Sequence, residues 1–401
     1  MNKMIERPEY LKRLISFRDK QLIKVISGIR RCGKSTLFDL YTDYLLENGV
    51  EKKQIVHINL EDPDYHELKT YMQLYEYIKE QLNEKCMNYI FIDEVQTIPE
   101  FQKAVDGLHI KKNCDVYITG SNASLLSGEL ATLLSGRYVE IKMLPLSFAE
   151  YISAVSDNSK DLVIKYRDYI ENSSFPYALE LTEKKDIRAY LGGIFDSIIL
   201  KDIVARKKLT DVTQLDSVVR YMFDNIGNLC SSTKISNTMI SAGRKISVHT
   251  VEKYLDALTE SFILYKVGRY DIKGKQHLST GAKYYLSDVG LRYYLLGSKK
   301  ADAGRVLENV VYLELLRQGY EVYVGKVSNA EVDFIAIGPE GEEYYQVAYT
   351  AMDESTLQRE LASLDVIRDH NPKYLLTMDF VPLASHNGIK QMNVLDWLLG
   401  R

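Results

Sequence analysis

Apolar positions divide the chain into a first stretch of short buried strands alternating with helices and a longer remainder of different rhythm. Tyr10, Leu11, Leu14 and Ile15 share one side of a helical lead-in, and residues 21–27 then read as a short apolar strand. Leu37, Leu40, Tyr41, Tyr44 and Leu45 return at helical spacing until Asn48-Gly49 stops the run. Residues 55–60 predict a second buried strand, 68–83 a helix, and 88–94 a strand that ends in two carboxylates. Residues 115–119 form the next strand and open into Gly120-Ser121-Asn122; a helix over 125–134 and a strand over 138–143 follow. Such alternation calls for an α/β fold, a parallel sheet covered on both faces.

Helices dominate the middle. Residues 148–170 and 186–208 are helical in pattern, separated by Ser173-Ser174-Phe175-Pro176, and together suit a helical lid that leans on the first sheet. Three helical stretches, 214–226, 232–242 and 247–260, precede short strands near 263–270 and 283–286, the order of a winged helix. The remainder predicts an amphipathic helix over 304–318, strands over 321–324, 331–337 and 343–350, a helix over 356–368 and a strand over 374–378. The expected division is 1–150, 151–212, 213–290 and 291–401.

Chemistry concentrates in the first of these. Gly28-Ile29-Arg30-Arg31-Cys32-Gly33-Lys34-Ser35 fits G-x-x-x-x-G-K-[ST], set between a strand and a helix as that phosphate-binding loop requires. Its glycines let backbone N–H groups curl onto phosphate at a helix N-terminus. Lys34 reaches the β- and γ-phosphates of ATP, and the Ser35 hydroxyl holds Mg²⁺. Gly28, Arg31, Cys32, Gly33, Lys34, Ser35 and Thr36 form the expected nucleotide-contacting set. Asp93, at the end of a neighbouring strand, is placed to complete the Mg²⁺ shell, and Glu94 to act as general base on the attacking water.

Composition narrows the class without naming a partner. The 401 residues are 46% apolar and 26% charged, as in a globular protein of several domains. No apolar run is long enough to cross a membrane and the start lacks a signal-peptide core, so a cytoplasmic location is expected. Four scattered cysteines and seven scattered histidines offer no disulfide framework or metal cluster. The net charge of −4 excludes a globally basic nucleic-acid binder. Residues 234–275 nevertheless carry eight basic and four acidic side chains, so the winged helix is either a DNA contact or a protein-packing module.

The strings GIRRCGKS, INLEDP, YIFIDEVQ, ITGSN and LSGRYVEIKMLPLSFAEY together resemble a group of bacterial and archaeal AAA-type ATPases that carry a C-terminal domain with a nuclease-like end. The resemblance puts Ser121 and Asn122 at the first sensor, with Asn122 the better candidate. It places Arg137 where such proteins keep an arginine finger for a neighbouring subunit, although an arginine at a helix C-terminus also suits the macrodipole. Asn59 resembles a polar residue that restrains the base glutamate, and Arg30 and Arg31 match paired arginines of the group.

The helix–hairpin–strand order at the end resembles the PD-(D/E)XK nuclease core. Glu308 and Asp333 match its first two acids, whereas Gln346 and Ala348 stand where an acid and a lysine are required. A degenerate, non-cutting site is expected. The full expectation is therefore a P-loop NTPase sheet with a helical lid, a winged-helix domain and an α/β restriction-endonuclease-like domain. Its function is Mg²⁺-dependent ATP hydrolysis as a switch or remodelling unit with ATP and ADP as ligands, acting as a homo-oligomer or on a protein partner. The alternatives are an ATP-gated DNA-binding protein or nuclease, and a nucleotide-dependent interaction scaffold.

Overall fold

The structure, a computed structural model, describes residues 4–126, 134, 136–155, 161–207, 209, 211–298, 302–380 and 384–401. They divide into two compact units, Met1–Pro145 with Glu260–Phe262, and Leu146–Thr259 with Ile263–Arg401.

In the first unit the elements run α1 (Pro8–Ser16), β1 (Ile23–Ser27), α2 (Lys34–Glu47), β2 (Ile55–Asn59), α3 (Tyr71–Lys79), β3 (Asn88–Asp93), α4 (Phe101–His109), β4 (Cys114–Gly120) and β5 (Tyr138–Lys142). The five strands are all parallel, in the order β2-β3-β4-β1-β5. The core forms where Ile23, Val25, Ile58, Ile90, Ile92, Val116 and Ile118 meet Leu74, Ile78, Ala104, Val105 and Leu108 of α3 and α4. Lys24 lies fully buried in β1 and is paired with Asp115 of β4, whose carboxylate also accepts from the Tyr117 hydroxyl.

Two elements depart from expectation. α3 is shorter than 68–83 because Thr70 caps it. The Thr70 hydroxyl accepts the Gln73 N–H at 3.3 Å, and the Gln73 side chain accepts the Thr70 N–H at 3.1 Å. α4 was not anticipated, although Phe101, Ala104, Val105 and Leu108 show the 3–4 spacing of a helix face. Of the helix expected over 125–134, residues 127–133 lie outside the described residues, and 123–126 form a 3₁₀ turn.

The second unit begins with α5 (Phe148–Ala154) and α6 (Leu162–Asn172), where one helix over 148–170 was expected. The backbone leaves the helix at Val155, and Asp161 starts the next one by accepting the Val163 N–H at 2.7 Å; residues 156–160 are outside the described set. α7 (Lys184–Asp196) continues into a π-helical segment, Ser197–Ala205, and the expected end at residue 208 is again outside that set. Then come α8 (Val212–Asp224), α9 (Ser232–Ser241), α10 (Val248–Glu260), β6 (Leu264–Asp271), β7 (Gln276–Leu286), α11 (Val289–Leu296), α12 (Ala303–Arg317), β8 (Glu321–Val327), β9 (Ala330–Gly338), β10 (Gly341–Ala348), α13 (Glu354–Asp365), β11 (Lys373–Thr377), β12 (Ala384–His386), β13 (Ile389–Asn393) and α14 (Val394–Leu398).

The strands of this unit form one eight-stranded sheet, β12-β13-β11-β10-β9-β8-β6-β7. The ribbon expected to belong to a separate winged helix is thus continuous with the C-terminal strands. β6 runs parallel to β8, with Arg269 opposite Val324 and Asp271 opposite Lys326. The unanticipated α11 joins the earlier helices to them: it packs on α6, α7 and α8. Asp288 at its N-cap accepts the Ser174 N–H at 2.7 Å and hydroxyl at 2.6 Å as well as the Leu291 N–H at 2.9 Å. No division at residue 290 is visible in this packing.

β7 lies at one end of the sheet, yet its outward backbone groups from Ala282 to Leu286 have partners. Cys230 exchanges both hydrogen bonds with Ala282, at 2.9 and 3.1 Å, and the Gly227 N–H donates to Tyr284 O at 3.1 Å. The Asn309 amide, on α12, accepts the Leu286 N–H and donates to Leu286 O, both at 2.8 Å. No helix among the described residues is long and apolar enough to cross a membrane.

Candidate functional site

In the first unit the strand order brings the C-terminal ends of β1, β3 and β4 side by side, the edge at which open parallel sheets bind ligands. The loop after β1 is held close to the sheet. A Cβ at Gly28 would come within 2.1 Å of the Met143 carbonyl, so only glycine fits. Gly33, at φ +102°, turns the chain into α2 without a side-chain cap, leaving the first-turn N–H groups pointing out of the helix. Ile29 and Cys32 are fully buried beneath the loop. Arg7, buried and unnoticed in the sequence, ties it down by donating to Cys32 O at 3.0 Å and Leu144 O at 2.7 Å.

Lys34 is buried and turned inward. Its ammonium donates to Gly28 O at 3.1 Å and Ile29 O at 3.3 Å and lies 3.5 Å from the Glu94 carboxylate. Ser35, in the exposed first turn beside Thr36, donates its hydroxyl to Asp93. The other Asp93 oxygen accepts from the Thr119 hydroxyl, which in turn accepts the Glu94 N–H at 2.9 Å. Thr119 and Arg7 were missed by sequence reasoning. A hydroxyl at the C-terminal end of the strand 115–119, level with Asp93, was the available signal for Thr119.

Glu94 sits in the left-handed region, φ +53° and ψ +47°, which costs a non-glycine residue on the order of 1 kcal/mol and turns its side chain away from the strand. The carboxylate accepts from the Gln96 amide and, at 3.1 Å, from the Ser121 hydroxyl. Burial raises its pKa, but the Lys34 ammonium and these hydrogen bonds outweigh burial and hold it below the ordinary glutamate value. Gln96 was also missed, and its Oε1 is buried without a hydrogen-bond partner.

The remaining sequence candidates are placed less centrally. Asn122 is buried just beyond Ser121 at the end of β4. Asn59 accepts the Glu61 N–H at 3.0 Å and so closes its own turn, while Gln96 and Ser121 are the groups that hold Glu94. Arg30 pairs with Glu61 at 2.7 Å, and exposed Arg31 takes φ +67°. Arg137, half exposed, pairs with Asp106 of α4 at 2.6 Å.

In the second unit Glu308 of α12, Asp333 of β9 and Gln346 of β10 lie near one another. A residue that was not proposed lies among them. Lys283 of β7, 4% exposed, places its ammonium 2.9 Å from Glu308, 3.1 Å from Glu331 and 3.4 Å from Asp333. Tyr285, two residues on and therefore on the same strand face, donates to Glu308 Oε1 at 2.5 Å. The Gln346 carbonyl accepts the Asp333 N–H at 3.2 Å and its amide donates to Glu360 at 2.8 Å, so the side chain is held at both ends. Burial and the Glu308 charge, opposed by Lys283, push the Asp333 carboxyl up to about 7; the acids hold the Lys283 ammonium well above its usual range despite burial.

Comparison with known proteins agrees with the P-loop fold of the first unit. Residues 20–152 match a family described as an AAA domain, and residues 163–302 match a domain family of unknown function. The chain is 44% identical to an uncharacterised protein of Haemophilus influenzae, with 99% of each chain covered. It is 30% identical to the uncharacterised protein MJ1544 of Methanocaldococcus jannaschii, over 86% of this chain and 78% of that one. The Walker-type ATPase PABY2304 of Pyrococcus abyssi shares the fold, with a TM-score of 0.50 and 15% identity, over 73% of this chain and 96% of that one. The chain belongs to one family with these bacterial and archaeal proteins, and its residues 20–152 are an AAA domain with a P-loop fold.

Proposed function

We propose that the protein binds ATP with Mg²⁺ on the loop from Gly28 to Thr36 and hydrolyses it, working as a nucleotide-controlled switch or remodelling unit. The observation that carries this reading is the continuous chain of contacts from Ser35 through Asp93 and Thr119 to Glu94, with Lys34 alongside. The Ser35 hydroxyl and the Asp93 carboxylate are adjacent oxygen donors of the kind magnesium takes, and they would hold the ion. The ion would neutralise charge building on the β- and γ-oxygens.

The lysine contacts imply an exchange. Lys34 holds two backbone carbonyls and Glu94, all of which it gives up in favour of phosphate oxygens. Glu94, relieved of its ammonium partner, is then the base that accepts a proton from water. Gln96 and Ser121 position that carboxylate, and the unpaired Gln96 carbonyl, worth about 1–3 kcal/mol if it finds a donor, favours rearrangement of this group. Asn122 would contribute to water positioning. Arg137 acts on a neighbouring subunit's nucleotide only after leaving Asp106, a half-exposed pair that costs little to break.

Two substitutions test the assignment. Lys34→Ala is expected to weaken ATP binding by on the order of 100-fold in calorimetry, as loss of charge-assisted contacts requires. Glu94→Gln is expected to keep ATP binding and lower turnover by about 10²–10⁴-fold. Undiminished turnover in Glu94→Gln removes Glu94 from the mechanism, and unchanged ATP affinity in Lys34→Ala removes the site.

A further inference from the structure

The nuclease resemblance of the C-terminal strands implies a magnesium ion between Glu308 and Asp333, but the residues present do not fit one. We propose that the Lys283 ammonium stands permanently in the cation position of this carboxylate centre, so that the centre operates metal-free and becomes a divalent-metal site only when the lysine is removed.

Three observations support it. First, the ammonium is central: three carboxylates from two elements, Glu308, Glu331 and Asp333, lie 2.9, 3.1 and 3.4 Å from one nitrogen. Second, three of the four oxygens that Glu308 and Asp333 would offer a metal are already engaged. Asp333 Oδ1 faces Lys283 while Oδ2 accepts the Val347 N–H at 3.0 Å, and Glu308 Oε1 takes both Lys283 and the Tyr285 hydroxyl. Gln346 has turned its carbonyl to the backbone of Asp333. Third, the lysine is covalently delivered. It rides on β7, whose neighbouring residue Leu286 is clamped by both ends of the Asn309 amide, next to Glu308 on the same helix. A tethered ammonium in this position has no dissociation step, so a free ion competes with a ligand of very high effective concentration.

The centre therefore ties the ribbon β6–β7 to α12 and β9 without calling on cellular metal.

The test uses the full chain without nucleotide, in a Ser35→Ala background that silences the other magnesium position, titrated with MnCl₂ and read by the electron paramagnetic resonance of free Mn²⁺. With Lys283 present no Mn²⁺ is expected to bind at the centre. Lys283→Ala is expected to gain one equivalent that the parent lacks, to lose it again on adding Asp333→Asn, and to melt at higher temperature with Mn²⁺ than without. Lys283→Arg keeps a cation in place and is expected to bind none. Stoichiometric Mn²⁺ in the lysine-containing protein that Asp333→Asn abolishes would overturn the proposal, and so would a folded Lys283→Ala that gains no ion. Should Lys283→Ala not fold, Lys283→Gln and the parent titration decide by the same two outcomes.

Discussion

Lys34 and Lys283 are both buried against carboxylates, and they are held in different ways. Lys34 faces one acid at 3.5 Å and two backbone carbonyls, at a helix start left open to solvent. Lys283 faces three acids within 3.4 Å, inside a sheet and beneath a helix. The first is an ammonium whose partners are easily replaced by phosphate oxygens. The second is an ammonium whose partners have no equally good alternative. For this pair of lysines, the number of carboxylates met and the access of a competing anion, rather than burial itself, separate a binding group from a fixed counter-ion.

The comparison breaks most visibly on stability. Lys283→Met is expected to cost about 3–5 kcal/mol in urea unfolding of the second unit, because it strands buried carboxylates. Lys34→Met, which leaves one acid that Gln96 and Ser121 still hold, is expected to cost under about 2 kcal/mol. Equal losses would erase the distinction. A smaller effect concerns pH. The Asp333 carboxyl is raised to about 7 from its ordinary 3.8, so between these values the folded chain keeps a proton that the unfolded chain has lost. Stability therefore falls as pH rises through that window, by at most about 1.4 kcal/mol per unit, and the loss is complete above about 7. The groups facing Asp333 are Lys283 from β7, Glu308 from α12 and Glu360 from α13. Asp333→Asn is expected to flatten this slope in melts taken from pH 4 to 8, leaving the first unit's behaviour unchanged. The smallest effect is at the surface. Arg137→Ala removes a half-exposed pair and is expected to shift stability by less than about 1 kcal/mol.

The phosphate loop was legible because its chemistry fixes both residue types and spacing, and because strand and helix patterns flank it. Asp93 and Glu94 were legible for the same reason, as acids ending an apolar strand. Gln96 and Thr119 were not, since their roles depend on side-chain direction at the end of a strand rather than on any repeat. The hairpin of β12 and β13 carries a plain signal, Asn387-Gly388 at φ +50° and +89°, that sequence reading passed over. α11 gave no periodicity to read: VGLRYYLL is apolar nearly throughout because the helix is packed on three others. Lys283 stood out only as a charge inside the apolar run Ala282-Lys283-Tyr284-Tyr285-Leu286. Its partners lie 25 to 50 residues downstream, a distance no local pattern spans.

The fastening of β7 has an outcome for association. With Ala282, Tyr284 and Leu286 each spoken for by Cys230, Gly227 and Asn309, this flank of the large sheet offers no open ladder there. The opposite flank is the three-residue β12. Growth of the sheet by annealing a foreign segment, whether in recognition or in aggregation, is closed off from Ala282 to Leu286, and at β12 the template is only three residues long.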